Sequence, residues 1–219
     1  PDLVWIKNRN GVPYSQNGHS LFDSIRGTTH PLSSNTASAQ GSTTDYFTSF
    51  DSNGFTLPSN SGTQTNASGG TAVANTDGTI NSQVSANNTL GFSISTWNKT
   101  TNASTASTFG HGLDAAPEMI IIKRTNGAED WYVYEASMGA GARISLNSTA
   151  AKVTGTSVWD NTVPTSTLFT VKGVNAGEHV AYCFTSKPGF SKVGSYTGNG
   201  SASGPMVQTG FEIAFVMIK

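Results

Sequence analysis

The sequence predicts an all-β protein made of tandem antiparallel β-sandwich units, of jelly-roll, concanavalin A-like or immunoglobulin size. Three observations predict it. No stretch of a dozen residues carries apolar side chains at helical spacing, because Gly, Asn, Ser and Thr interrupt every candidate. Short runs rich in β-branched and aromatic residues recur instead, punctuated by Asn-Gly and Asp-Gly pairs that tolerate positive φ and close hairpins. The chain also repeats itself: PDLVWIKNRNG at 1–11 returns as PEMIIIKRTNG at 117–127 and begins again as IAFVMIK at 213–219.

Taken in order, the first expected strand is 3–7, followed by the turn pairs Asn10-Gly11 and Asn17-Gly18. Strand 20–25 lies in SLFDSIRG, which lines up with YVYEASMG at 132–139, about 112 residues later, and Asn35 falls on Asn147 at the same spacing. Strands 46–50 and 54–57 flank Asn53-Gly54, and Phe55-Thr56-Leu57 matches Phe169-Thr170-Val171. Residues 58–88 are poorest in large apolar side chains and offer only Val73, Ile80 and Val84 as anchors for an extended strand pair. Strands 92–97, 119–123, 131–134, 143–147, 168–171 and 179–184 then form a full set, and Gly91-Phe92-Ser93 returns as Gly189-Phe190-Ser191 ahead of strands at 192–196 and 211–218. The expected organisation is an incomplete first sandwich repeat at 1–75, a linker at 76–90, a second repeat at 91–188, and the start of a third repeat or a strand-completing segment at 189–219. Because the array opens and closes on the same strand, the 219 residues are expected to be a window of a longer polypeptide.

Composition excludes several functions. Charged residues make up 11% of the chain, with 12 basic against 13 acidic and none clustered, which leaves no electrostatic footprint for nucleic acid. No apolar run approaches the ~20 residues of a membrane-spanning helix. Cys183 is alone in HVAYCF and reads as a buried structural thiol. His19, His30, His111 and His179 lack metal-ligand spacing, and no nucleophile elbow, phosphate loop or zinc-protease motif occurs. Neither an enzyme, a metal nor a cofactor is expected.

Flat rings among amides and hydroxyls suit sugar recognition, and the candidate ligand-binding residues are Trp97, Trp131, Trp159 and Tyr196. Trp159, in SVWDNTVP ahead of a Pro-bearing loop, is the expected exposed platform. Trp131 opens WYVY, where alternation sets Trp131 and Val133 on one face and Tyr132 and Tyr134 on the other.

These stretches together, from PDLVWIKNRNG and LFDSIRG through GHGLDAAPEMIIIKR, WYVYEASMG and VAYCF to GFSKVGSYTGNGSASGP and FVMIK, resemble a repeat of structural proteins of marine tailed bacteriophages. The resemblance spans nearly the whole chain. It implies a virion appendage, tail-fibre or surface-decoration component, often beside lectin-like modules, located on the particle surface. It also implies an adhesive role, and identifies no catalytic residue and no ligand; the expected partners are other virion subunits in a homo-oligomer, with three chains expected, and a host-surface glycan. The chain departs from the pattern where TAVAN at 71–75 replaces a Trp- and Cys-bearing strand, which implies a shortened or rearranged first unit. The competing reading is a carbohydrate-binding module of a secreted or cell-surface protein. Repeated sugar sites would put rings in register, whereas Trp5 aligns with Ile121 and Trp159 has no aromatic counterpart in the first unit.

Overall fold

A computed structural model describes residues 1–7, 18–44, 46–52, 54–57, 65–66, 72–155 and 158–219. The expected turn Asn10-Gly11, together with Asn17, Asn53 and Thr71, lies outside the described residues. Among those described, no helix is long and apolar enough to cross a membrane.

The protein is all-β and antiparallel. Its centre is an eight-stranded sheet in the order β14 (Val153–Thr154), β13 (Ala142–Ser145), β12 (Tyr132–Glu135), β11 (Met119–Arg124), β16 (Gly177–Phe184), β9 (Phe92–Lys99), β8 (Ser82–Asn87) and β7 (Val73–Asn75). The middle strands read MIIIKR and HVAYCF because both faces of this sheet are covered, so alternation gives way to continuous apolar runs. Ile120, Ile122, Ala181 and Cys183 face one core with Trp97, Phe109 and Phe169, under the strand pair β10 (Ser107–Gly110) and β15 (Leu168–Val171). Ile121, Val180, Tyr182, Trp131 and Val133 face a second core, closed by Leu21 and Leu32 of the sheet β1 (Leu3–Lys7), β2 (His19–Asp23) and β3 (Gly27–Leu32). The outer face of that sheet packs Val4 and Phe22 on Phe47, beside β4 (Ser49–Asp51), β5 (Gly54–Thr56) and β6 (Thr65–Asn66). Both faces of WYVY are therefore core or near-core, one facing each cluster.

The sequence repeat has a structural counterpart in strand register. Leu21 pairs with Leu32, and their equivalents Val133 and Ile144 pair in turn. His19 N–H donates to Asn35 Oδ1 at 3.3 Å, and Trp131 N–H donates to Asn147 Oδ1 at 2.9 Å. Asp23 Oδ1 accepts from Ile25 N–H at 3.2 Å as Glu135 Oε1 accepts from Ser137 N–H at 3.1 Å. Each of these turns ends on a glycine at positive φ, Gly27 at 79° and Gly139 at 73°, where a Cβ would be strained. The ribbons β1–β2–β3 and β11–β12–β13 pack against each other through the second core.

Between them runs a polar tie. Asp23 is fully buried, and its four accepted hydrogen bonds come from Ile25 N–H, Arg26 N–H, Arg26 Nε at 2.6 Å and Tyr182 OH at 2.8 Å. Arg26 also donates to the carbonyls of His30 and Leu21. Burial holds the Tyr182 phenol well above its ordinary pKa, so it remains a neutral donor to the carboxylate.

The segment 76–90, expected as a linker, contains β8, whose alternation buries Ser82 and Val84 and which pairs with β9 from Gln83 to Asn87. Small side chains permit this. Gly110 lies so close to Asn75 that a Cβ there would meet Asn75 Oδ1 at 1.7 Å, and its carbonyl accepts from Ser82 and Ser95. Among the described residues the expected strands 192–196 and 211–218 pair with no sheet, and beyond an isolated bridge between Lys187 and Ser191 the segment runs along the surface.

Candidate functional site

Three of the four predicted ring candidates are core residues. Trp159, the expected exposed platform, is 1% exposed and meets Tyr134 edge-on at 5.7 Å. The turn after it folds the ring inward: Thr162 N–H donates to the Trp159 carbonyl and Lys172 N–H to the Val158 carbonyl, with Asp160 and Asn161 at positive φ between them. A Pro-bearing loop marked the bend correctly and the direction of the ring wrongly. Trp97 is 5% exposed between Phe109, at 4.4 Å, and a parallel His179 ring at 5.5 Å. Trp131 is wholly buried on the opposite sheet face. None of these three can offer a ring face to a ligand. Tyr196 is exposed, on the surface segment that follows β16, and is not brought together with the others.

The ionisable groups in the interior serve the fold. His111 Nε2 bonds the Thr165 carbonyl and its Nδ1 accepts from Leu113 N–H, which fixes the bend suggested by Gly110 and Gly112. Burial lowers its pKa. The Cys183 thiol, fully buried, is pushed up to about 12 by loss of solvation, far from a reactive thiolate. Among the described residues, no three His, Cys, Asp or Glu side chains gather as metal ligands. A broad cleft of about 600 Å³ beside Glu118 and Glu135 keeps both carboxylates bonded to neighbouring hydroxyls, Ser186 and Ser137 respectively.

Lys123 is a buried cation. Its buried ammonium donates to the carbonyls of Ala37 at 3.0 Å and Glu129 at 2.8 Å, which ties the two ribbons' layers together. Burial lowers its pKa from 10.5 to about 8, with Glu129 and Asp130 opposing the shift. The folded value lies below the unfolded one, so between those two pH values the unfolded chain holds more protons and stability rises with pH. Cys183 acts oppositely above pH 9, where its unfolded thiol ionises first. Between pH 8 and 9, urea denaturation should therefore show the parent gaining stability relative to Lys123→Met. A constant difference across that range would show that the ammonium is not desolvated.

Two exposed features remain. One is a cleft of about 340 Å³ where the ribbons meet, with Trp5, His19 and Asn35 on one wall and Leu146, Ser148 and Thr149 on the other. Trp5 is not among the ring candidates read from the sequence. The signal that finds it is the repeat itself, since His19 stands where the second ribbon has Trp131. The other feature is the surface segment 190–218, without sheet partners among the described residues, in which Met206 is 82% and Phe215 77% exposed, joined by Phe190, Val216 and Ile218.

A family model described as a domain of unknown function, DUF7483, matches residues 1–219. The chain belongs to this family. No curated protein and no solved structure matches it.

Proposed function

We propose that this chain is a structural module of a bacteriophage virion, in an appendage, a tail fibre or a surface decoration, and that it acts by assembly and host-surface attachment rather than by catalysis. The observation that carries the assembly reading is the surface segment. IAFVMIK repeats the pattern of β1 and β11, yet those two strands are hydrogen-bonded on a sheet while this copy has no strand partner among the described residues and leaves Ile213, Phe215, Val216 and Ile218 exposed, with Met217 half-buried against the second core. A contiguous exposed apolar stretch of strand-forming sequence is what strand addition by a neighbour covers. The sparse charge, the bonded or buried state of the interior ionisable groups and the phage-repeat resemblance support the rest.

Native mass spectrometry of the full chain should give a homo-oligomer, with three copies expected, and deletion of 189–219 should abolish it or cause aggregation. A monomer at micromolar concentration, or a truncated protein equally soluble and oligomeric, overturns the assembly reading.

A further inference from the structure

The seam between the ribbons is closed differently at its two ends. At one end the Trp131 ring fills the space, and its Nε1–H donates to the carbonyls of Ser33 at 3.0 Å and Thr36 at 3.2 Å in the turn of the other ribbon. That turn is bridged by Thr36 N–H to the Ser33 carbonyl at 3.3 Å. The equivalent turn at the other end has the same bridge, Ser148 N–H to the Ser145 carbonyl at 3.3 Å. Facing it, however, is His19 rather than an indole. The smaller ring is also turned away, because its Nδ1 accepts the Trp5 Nε1–H at 2.7 Å. An opening of about 340 Å³ results, in the range of small-ligand sites.

We propose that this opening is a glycan-binding site that takes a sugar ring of a neutral surface polysaccharide. The half-buried Trp5 supplies an aromatic surface for the apolar face of a pyranose. The Ser148 carbonyl, counterpart of the Thr36 carbonyl that takes the Trp131 N–H, stands ready to accept from a sugar hydroxyl. Lys219 demonstrates the position, since its ammonium bonds that carbonyl while Met217 lines the cleft. Donors lie opposite: the Asn35 amide nitrogen has no partner among the described residues, and with Nδ1 accepting from Trp5, neutral His19 carries its hydrogen on Nε2. Burial and neighbouring Lys7 both lower the His19 pKa, which keeps this tautomer at neutral pH. Among the described residues the opening is lined by an indole, an imidazole, amides, hydroxyls and apolar side chains, a lining that matches the hydroxyls and apolar face of a neutral sugar.

The site rests on the attachment half of the function proposed above. Its test is separate from the assembly half, which is read by mass. Methyl glycosides of glucose, galactose, mannose, N-acetylglucosamine and N-acetylgalactosamine are titrated into the full chain, with the Trp5 indole N–H signal followed by NMR. At least one should shift that signal with millimolar affinity, and deleting Met217–Lys219 should tighten binding several-fold by removing the competing occupant. His19→Trp should fill the opening as Trp131 fills the other end and abolish binding, while circular dichroism and native mass stay unchanged. Trp5→Ala should lose binding too. The site is refuted if no glycoside moves the Trp5 signal at about 50 mM in either the full or the truncated chain, well above a millimolar dissociation constant. Folded His19→Trp that binds as the parent does refutes it equally.

Discussion

Asp23→Ala is expected to destabilise the protein by about 3–5 kcal/mol, because it leaves the Arg26 guanidinium in the interior without its counter-ion. Arg26 and Asp23 meet at 2.6 Å, with side-chain exposures of 7% and 0%. The same carboxylate closes the β2–β3 turn through two main-chain N–H groups and takes the Tyr182 hydroxyl from the central sheet. One substitution therefore loosens a turn and separates two layers. Thermal denaturation should show a fall of about 6–20 °C for a chain of this length. Tyr182→Phe, which removes the hydroxyl's donation to Asp23 and its acceptance from Arg26 Nη2 and keeps the ion pair, should cost about 1–3 kcal/mol. A small loss for Asp23→Ala would mean that Arg26 finds water, and hence that the ribbons do not seal this interface.

The contrast between Asp23 and its repeat partner shows what the sequence could and could not convey. The alignment of SLFDSIRG with YVYEASMG announced equivalent local structure but not the turn at 24–26, which falls within the expected strand 20–25; the turn chemistry is the same in both. Which of the two acids would be buried depended on the layer above, and no local pattern states that. Strands 3–7, 119–123 and 168–171 were legible because β-branched and aromatic residues fill them without interruption. The strand pair anchored by Val73 and Val84 was legible and is β7–β8, where the two valines are register partners, whereas β10 was not, since STFG carries few large side chains and is held by close approach of Gly78 to Thr108 and of Asn75 to Gly110. IAFVMIK was read as a strand for sound local reasons. It lacks a sheet partner here, and strand propensity without a partner satisfies no backbone group.

The ring candidates failed for a related reason. A tryptophan brings a large apolar area to whichever environment tertiary packing provides, so its identity alone does not separate a binding platform from a core plug. The sequence signal that does separate them here is a mismatch between repeats. Where the two ribbons carry different residues at one position, Trp131 against His19, one end of the seam is filled and the other is open.

Trp131→Ala should accordingly be the other severe substitution, with a loss of about 3–5 kcal/mol from the cavity left by a fully buried ring. It also removes the donor shared by the Ser33 and Thr36 carbonyls, so the turn after β3 loses its anchor on the central sheet. Trp131→Phe separates the two contributions, since it keeps most of the packing and none of the hydrogen bonding. Its cost should be about 1–3 kcal/mol, the penalty of an unsatisfied acceptor plus a smaller cavity. Trp5→Ala should cost less than either, because that ring is only half-buried and borders an opening that already exists. Urea denaturation of the three variants tests the ranking directly. If Trp5→Ala proved as damaging as Trp131→Ala, both ends of the seam would be equally closed, and the case for a ligand opening beside His19 would fall with that result.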